Sequence, residues 1–194
     1  MTDTPSDNLD FRKPTAEVGY LLNQLVAASP PLDPNSIYCN LLQCSHFADT
    51  AVAVFDGEEL VGFVSGYVEP NKPDTLFVWQ VVIAEAARGK GLAKRMLKHL
   101  LGREACAEVR YIETTITPDN EASWALFRSL ARDLDTELNS EVFFERNTRF
   151  GGAHGDEHLL VSGPCQTSRH GLVGQGPIET DTGRPVGHKV PREE

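Results

Sequence analysis

Only four of the 194 residues are cysteine (Cys39, Cys44, Cys106 and Cys165), and no two of them stand in C-x-x-C spacing. A disulfide framework is therefore not expected, and a reducing, cytoplasmic compartment is. No apolar run approaches the roughly 20 residues that span a bilayer. The opening residues, MTDTPSDNLD, are acidic and polar, the opposite of a secretory leader. Basic residues are in deficit: 18 Lys and Arg stand against 28 Asp and Glu, for a formal charge of −10. That balance argues against nucleic-acid or membrane partners, which require neutralisation of an anionic surface. There is no internal repeat and no second apolar block, so a chain of this length reads as one domain. Large apolar residues are also scarce at the two ends. Residues 1–9, and residues 164–194 with their scattered Gly and Pro and no aromatic, cannot bury enough surface to offset their ordering entropy. Disordered tails at 1–9 and 164–194 around a domain at 10–163 are expected.

Within that domain, 40% hydrophobic composition is distributed as alternating strand and helix signals. Residues 11–14 read as a short strand. Thr15 is placed to cap a helix over 15–28, in which Val18, Leu21, Leu22 and Leu25 recur at helical spacing. Pro30, Pro31 and Pro34 force a loop, after which Ser36 can cap a helix over 37–46. Two β-rich runs, 50–55 and 60–68, are joined by the hairpin signal Asp56-Gly57-Glu58-Glu59. Asn71-Lys72-Pro73-Asp74 turns the chain into 75–83, a nearly continuous apolar run and so a central strand. A glycine loop, a helix over 92–103, a strand over 109–117 and a helix opened by Pro118-Asp119-Asn120-Glu121 and ending near 133 follow. Residues 141–144 and 158–161 are closing strands. The order β α α β β β α β α β β is mixed α/β.

The densest signal is Val81-Val82-Ile83-Ala84-Glu85-Ala86-Ala87-Arg88-Gly89-Lys90-Gly91-Leu92-Ala93, a buried strand passing through a glycine-punctuated turn into a helix. Unpaired N–H groups at a helix start, aided by the helix dipole, form a phosphate site, and glycines let the backbone approach it. Seven of the 18 basic residues fall between Arg88 and Arg110, which suggests a local anion site in an acidic chain. A capping glycine followed by a solvated helix face would leave the same trace. Other phosphate loops fit poorly: G-x-x-x-x-G-K-[ST] is missing, and Gly89-Lys90-Gly91-Leu92-Ala93-Lys94 lacks the third small residue of G-x-G-x-x-G.

Arg88-Gly89-Lys90-Gly91-Leu92-Ala93 resembles the R/Q-x-x-G-x-G/A pyrophosphate loop of the GNAT-type N-acetyltransferases, and the element order matches that fold over residues 11–161. The resemblance implies an α/β (mixed α+β) GNAT fold: a central, mostly antiparallel sheet flanked by helices, with splayed strands holding acetyl-CoA. It further implies that Arg88, Gly89, Lys90, Gly91, Leu92 and Ala93 hold the pyrophosphate and that Val81 and Ile83 offer backbone hydrogen bonds to the pantetheine arm. The strand over 111–117 would splay away from its neighbour, and Asn120 would contact the cofactor arm. Three more blocks, Pro31 to Cys44, Asp74 to Val81 and Thr114 to Phe127, resemble the branch of the family that acetylates the 4-amino group of L-2,4-diaminobutyrate in ectoine biosynthesis. Such enzymes are often homodimers.

A diamino acid brings two ammonium groups and a carboxylate, so its pocket needs acids and an anion partner. Asp33 sits in the proline-bounded loop where the family places acceptor contacts; otherwise it is a bend residue. Glu157 follows the loop containing Gly151, Gly152 and Gly155 and can face the same pocket. Trp79 is either core or a wall over the acceptor's chain. An alkylammonium with pKa near ~10 must lose a proton before it attacks, and Asp33 or Glu157 could take it. Many of these enzymes protonate the leaving thiolate with a tyrosine near the position of Phe127, which cannot donate. Tyr38 is the substitute candidate, or else a packed aromatic; the thiolate can also leave unassisted. His154 and His158 stand at i, i+4, but Gly155 between them argues against a helix, and no metal is expected. Cysteine nucleophiles lack a placed histidine, which favours direct transfer in a ternary complex. The competing readings are an acetyltransferase for another small amine or a protein N-terminus, and a non-catalytic acyl-CoA-binding module.

Overall fold

The computed structural model describes residues 9–30, 32 and 34–165. Asp33 and the tails at 1–8 and 166–194 lie outside the described residues. The sheet is built from β1 (Leu9–Arg12), β2 (Ala51–Asp56), β3 (Glu59–Glu69), β4 (Lys72–Ile83), β5 (Tyr111–Ile116), β6 (Glu137–Phe144) and β7 (Glu157–Gly163). Five helices accompany it: α1 (Gly19–Ala27), α2 (Ile37–Gln43), α3 (Leu92–Leu101), α4 (Glu121–Asp133) and the short α5 (Arg146–Arg149). Strand order is β1-β2-β3-β4-β5-β7-β6, with β4–β5 parallel and the other neighbours antiparallel. The mixed, mostly antiparallel architecture expected from the sequence is what the chain forms, and the apolar run over 75–83 does lie at the sheet centre.

Two cores cover the two faces. On one face, Leu92, Met96, Leu97 and Leu100 of α3 and Phe127 and Leu130 of α4 pack against Val64, Leu76, Val78, Ile112 and Leu160. On the other, Leu22 and Val26 of α1 pack with Cys44, Phe63 and Val82. Each such side chain taken from water contributes about 1.5–3 kcal/mol, opposed by the entropy of ordering. Asp133 clamps α3 to α4, accepting from Lys94 at 3.0 Å and Lys98 at 2.6 Å.

Several boundaries depart from the sequence reading for local reasons. Thr15 caps nothing with its side chain; Ala16–Val18 form a 3-10 turn, and the α-helix proper starts at Gly19. A Cβ at Gly19 would lie 2.7 Å from Leu41, so the glycine is where α1 meets α2. Ser36 does cap α2, accepting from the Cys39 N–H at 3.1 Å. That helix ends at Gln43 rather than 46; the Ser45 hydroxyl donates back to the Leu41 carbonyl as the chain turns. β6 begins four residues before the expected 141, and α5 was not foreseen. At the C-terminal end the Cys165 N–H donates to the Arg110 carbonyl at 2.6 Å, continuing past residue 163.

Candidate active site

Three local irregularities lie along the second half of β4 and the loop that follows it. The first is the splay. Parallel pairing with β5 covers only Thr75–Phe77 against Tyr111–Glu113, whereas β4 runs on to Ile83 and β5 to Ile116. The Thr114 hydroxyl donates across the opening gap to the Val78 carbonyl at 3.0 Å. On its other side β4 remains paired to β3, and the Ala84 N–H bonds the Val61 carbonyl. Antiparallel ladders alternate, so Val81 and Ile83 turn their own N–H and C=O away from β3 and into the gap. These two residues therefore offer the backbone groups that an extended arm would use.

The second irregularity is the loop that follows β4. After a 3-10 turn at Glu85–Ala87, Gly89 and Gly91 take φ of +75° and +70°, the left-handed region open to glycine. Gly91 is the N-cap of α3 and supplies no side chain. The first intrahelical bond runs from the Arg95 N–H to the Gly91 carbonyl, and the amides from Gly89 to Lys94 have no backbone partner among the described residues. Nothing lies within 4 Å of a Cβ built at either glycine, so the loop faces open space. The basic cluster inferred from sequence is narrower than expected. Lys94 and Lys98 are tied to Asp133, Arg103 donates to the Ala48 and Ala51 carbonyls, and Arg95 lies over Phe11. Arg88 and Lys90 are exposed beside the loop, and Arg88 donates from Nε to the Ile83 carbonyl at 3.1 Å. The candidate anion site is thus the loop's amides with two cations rather than a basic helix face. Leu92 is buried beneath it and Ala93 half-buried. Asn120 caps α4, its Oδ1 accepting from the Ser123 N–H at 3.1 Å; Phe127 is buried in the core.

The third is a bulge. Ser65 opposes Gln80 but Gly66 opposes Val78, leaving Trp79 as the extra residue. A Cβ at Gly66 would come within 2.6 Å of the Phe77 carbonyl, so the bulge depends on that glycine. The Trp79 ring, 43% exposed, stands edge-on to Phe47 at 6.3 Å and Tyr67 at 6.5 Å. It is therefore not a core tryptophan but part of an aromatic wall on the α1/α2 face.

The same face carries acids. In β5 and β7, Ile112, Ile116 and Leu160 enter the core under α3 and α4, so alternation turns Glu113 and Glu157 to the other side. Glu113 is buried and receives Lys72 at 2.9 and 3.2 Å; Glu69 lies 3.6 Å from the same ammonium. Burial, Glu69 and Glu113 all raise the Tyr67 hydroxyl above its ordinary value, which places the acids beside the aromatic wall. Glu157 lies 3.8 Å from His154. The sequence reading picked out Trp79 and Glu157 but missed Tyr67, Glu69 and Glu113. Strand parity, once β5 and β7 are in register, is the signal that finds Glu113. Tyr38 is two-thirds exposed at the start of α2, on the surface rather than packed. All four cysteines are free thiols, and burial pushes Cys44 up to about 12 and Cys106 up to about 11. Neither is a thiolate near neutrality. Among the described residues no three His, Cys, Asp or Glu gather as a metal site.

The arrangement can hold a phosphate-bearing thioester in the gap with an amine on the opposite side of the sheet. A family model described as "Acetyltransferase (GNAT) family" matches residues 21–131. The chain is 58% identical over 156 residues to the L-2,4-diaminobutyric acid acetyltransferase of Methylotuvimicrobium alcaliphilum, covering 80% of this chain and 91% of that protein. It is 49% identical over 162 residues to the enzyme of the same name from Halomonas elongata, covering 83% and 84%. Among solved structures, diaminobutyrate acetyltransferase EctA from Paenibacillus lautus, in complex with L-2,4-diaminobutyric acid and coenzyme A, superposes with a TM-score of 0.77 at 38% identity. That match covers 80% of this chain and 95% of the other.

Proposed function

This chain belongs to the acetyltransferase (GNAT) family, and on that premise we propose that it transfers acetyl from acetyl-CoA to the 4-amino group of L-2,4-diaminobutyrate, the acetylation step of ectoine biosynthesis. One observation carries the choice of acceptor. Likeness to proteins named for this substrate extends over about four-fifths of the chain, well beyond the cofactor loop. The site is chemically suited to it: a cationic chain can lie against the aromatic wall of Trp79, Tyr67 and Phe47, with Glu113 and Glu157 on the same face.

The residues divide the work. The amides of Gly89 to Ala93, with Arg88 and Lys90, take the pyrophosphate of acetyl-CoA, and Val81 and Ile83 bond its extended arm in the gap. Asn120, beyond the open end of β5, can contact the same arm. The acceptor's 4-ammonium first gives up its proton to Asp33 or Glu157, directly or through water. Its nitrogen lone pair then attacks the thioester carbonyl, the tetrahedral intermediate releases its second N–H proton to water as it collapses to the amide, and coenzyme A leaves as the thiolate. Tyr38, exposed at the edge of the acceptor side, is the candidate to protonate that sulfur. The raised thiol pKa values of Cys44 and Cys106 support direct transfer in a ternary complex over an acetyl-cysteine intermediate.

Two further readings accompany this one. Among the described residues no helix is long and apolar enough to cross a membrane, and free thiols support a cytoplasmic setting. A homodimer is supported by β6, an edge strand on which Val142, Phe143 and Phe144 are exposed among the described residues.

Thiol release from acetyl-CoA tests the reaction. Turnover with L-2,4-diaminobutyrate and none with polyamines or N-terminal peptides is the expected result. Release with a different amine alone would reassign the acceptor, and none with any amine would favour a binding module.

A further inference from the structure

Between α1, α2 and the sheet lies a chain of buried and half-buried carboxamides that the proposed chemistry does not use. Asn23 donates from Nδ2 to the Asn35 carbonyl at 3.1 Å and to Asn40 Oδ1 at 2.9 Å. Asn40 donates from Nδ2 to Gln43 Oε1 at 2.9 Å, and Gln43 from Nε2 to the Ser65 hydroxyl at 3.1 Å. Asn35 itself donates from Nδ2 to Gln80 Oε1 at 3.0 Å. Ser65 and Gln80 are paired across β3 and β4, so the strand ladder closes these side-chain bonds into a ring. Asn40 and Gln43 are wholly buried and Ser65 is 1% exposed.

Two features set this ring apart from ordinary core packing. Asn23 donates to both arms, and turning Asn23, Asn40 or Gln43 breaks two bonds, which at Asn40 and Gln43 strands a buried donor. A Leu or Met of similar size would fill the space without fixing any orientation. The ring's location is the second feature. On one side it holds Asn35, at the end of the proline-rich loop over 30–36. On the other it holds Ser65 and Gln80, the residues at which the register slips and Trp79 bulges out.

We propose that Asn40 and Gln43 are positioning residues: buried beneath the acceptor side and touching no substrate, they set the spacing between the loop over 30–36 and the Trp79 bulge, and through it acceptor affinity. This rests on the proposed acetylation of diaminobutyrate. The cofactor loop lies outside the ring, so acetyl-CoA binding is independent of it.

The test uses the full chain with three substitutions: Gln43→Met, which breaks two links at constant size, Ser65→Ala, which removes only the last acceptor, and Ser65→Thr, which keeps the hydroxyl. Loss of one bond in Ser65→Ala is expected to raise the KM for diaminobutyrate about tenfold, and loss of two in Gln43→Met at least about tenfold, while the KM for acetyl-CoA stays within about twofold. Ser65→Thr should restore the wild-type value. Hydrogen exchange at Asn35 and Ser36 should quicken in the first two variants and stay unchanged in α3. Wild-type acceptor KM in a folded Gln43→Met or Ser65→Ala overturns the proposal, as does unchanged exchange at Asn35. Should Gln43→Met not fold, Ser65→Ala decides. Failure of the wild-type protein to acetylate diaminobutyrate would instead refute the functional reading, and exchange at Asn35 would then decide the coupling by itself.

Discussion

Replacement of Gly91 by valine separates backbone strain from loss of the anion site. Gly91 sits at φ +70°, where an L side chain costs roughly 1–2 kcal/mol and a β-branched one is at the upper end. A Cβ there meets nothing within 4 Å, so no clash adds to that figure. Against a total stability of roughly 5–15 kcal/mol the variant stays folded. A melting temperature lower by roughly 2–8 °C is expected for a domain of this size. The added side chain projects from the loop whose amides face open space, and it denies a pyrophosphate at least one close backbone contact. A charge-assisted hydrogen bond contributes about 1.5–3 kcal/mol, so coenzyme A should bind about 10- to 150-fold more weakly. Gly91→Asn provides the control, since asparagine tolerates the left-handed region. It should recover most of the melting temperature and little of the affinity. Calorimetric titration with coenzyme A reads the outcome. Wild-type affinity in Gly91→Val, with the expected drop in stability, would refute the assignment of this loop.

Three other outcomes follow from the same account. Asp33→Asn keeps size and removes charge: if Asp33 pairs with the 2-ammonium, the acceptor KM rises and some 2-acetyl product forms, whereas a base loses kcat with regiochemistry intact. Unchanged KM, kcat and product ratio would remove Asp33 from the site. Asp133 accepts from Lys98 and Lys94, which hold its carboxyl below 3.8. Its contribution is thus present above that pH and lost as pH falls through the depressed value. Thermal melts from pH 6 down to about 2.5 should lose less stability in Asp133→Asn than in wild type, and parallel curves would contradict the clamp. Truncation after Cys165 should leave melting temperature and turnover unchanged, since the sequence beyond it has few core-forming residues; a marked loss of either would assign that segment a role.

The geometry of the candidate cofactor loop was largely legible in the sequence because it is built locally. A buried strand, a turn with Gly89 and Gly91, and the amphipathic run from Leu92 to Leu100 are contiguous, and the positive φ of both glycines supplies the physical reason for that spelling. The basic cluster misled because charge along a chain does not reveal its partners: Asp133, forty residues from Ala93, takes up two of the lysines. The acceptor side is assembled from distant segments. Trp79 looked equally like core until the Gly66 bulge turned it outward, and Glu113 becomes recognisable only when β5 is registered against β4 and β7. Asn40 and Gln43 read as ordinary polar positions in a short helix. Their burial and their bonds to Asn23 and Ser65 depend on tertiary packing that no local pattern encodes.

Product analysis by mass spectrometry with fragmentation, after incubation with acetyl-CoA and a mixture of L-2,4-diaminobutyrate and competing amines, tests the central claim most directly. The account predicts one dominant product, diaminobutyrate carrying a single acetyl group on its 4-nitrogen. Acetylation at the 2-nitrogen, or of another amine in preference, would contradict it.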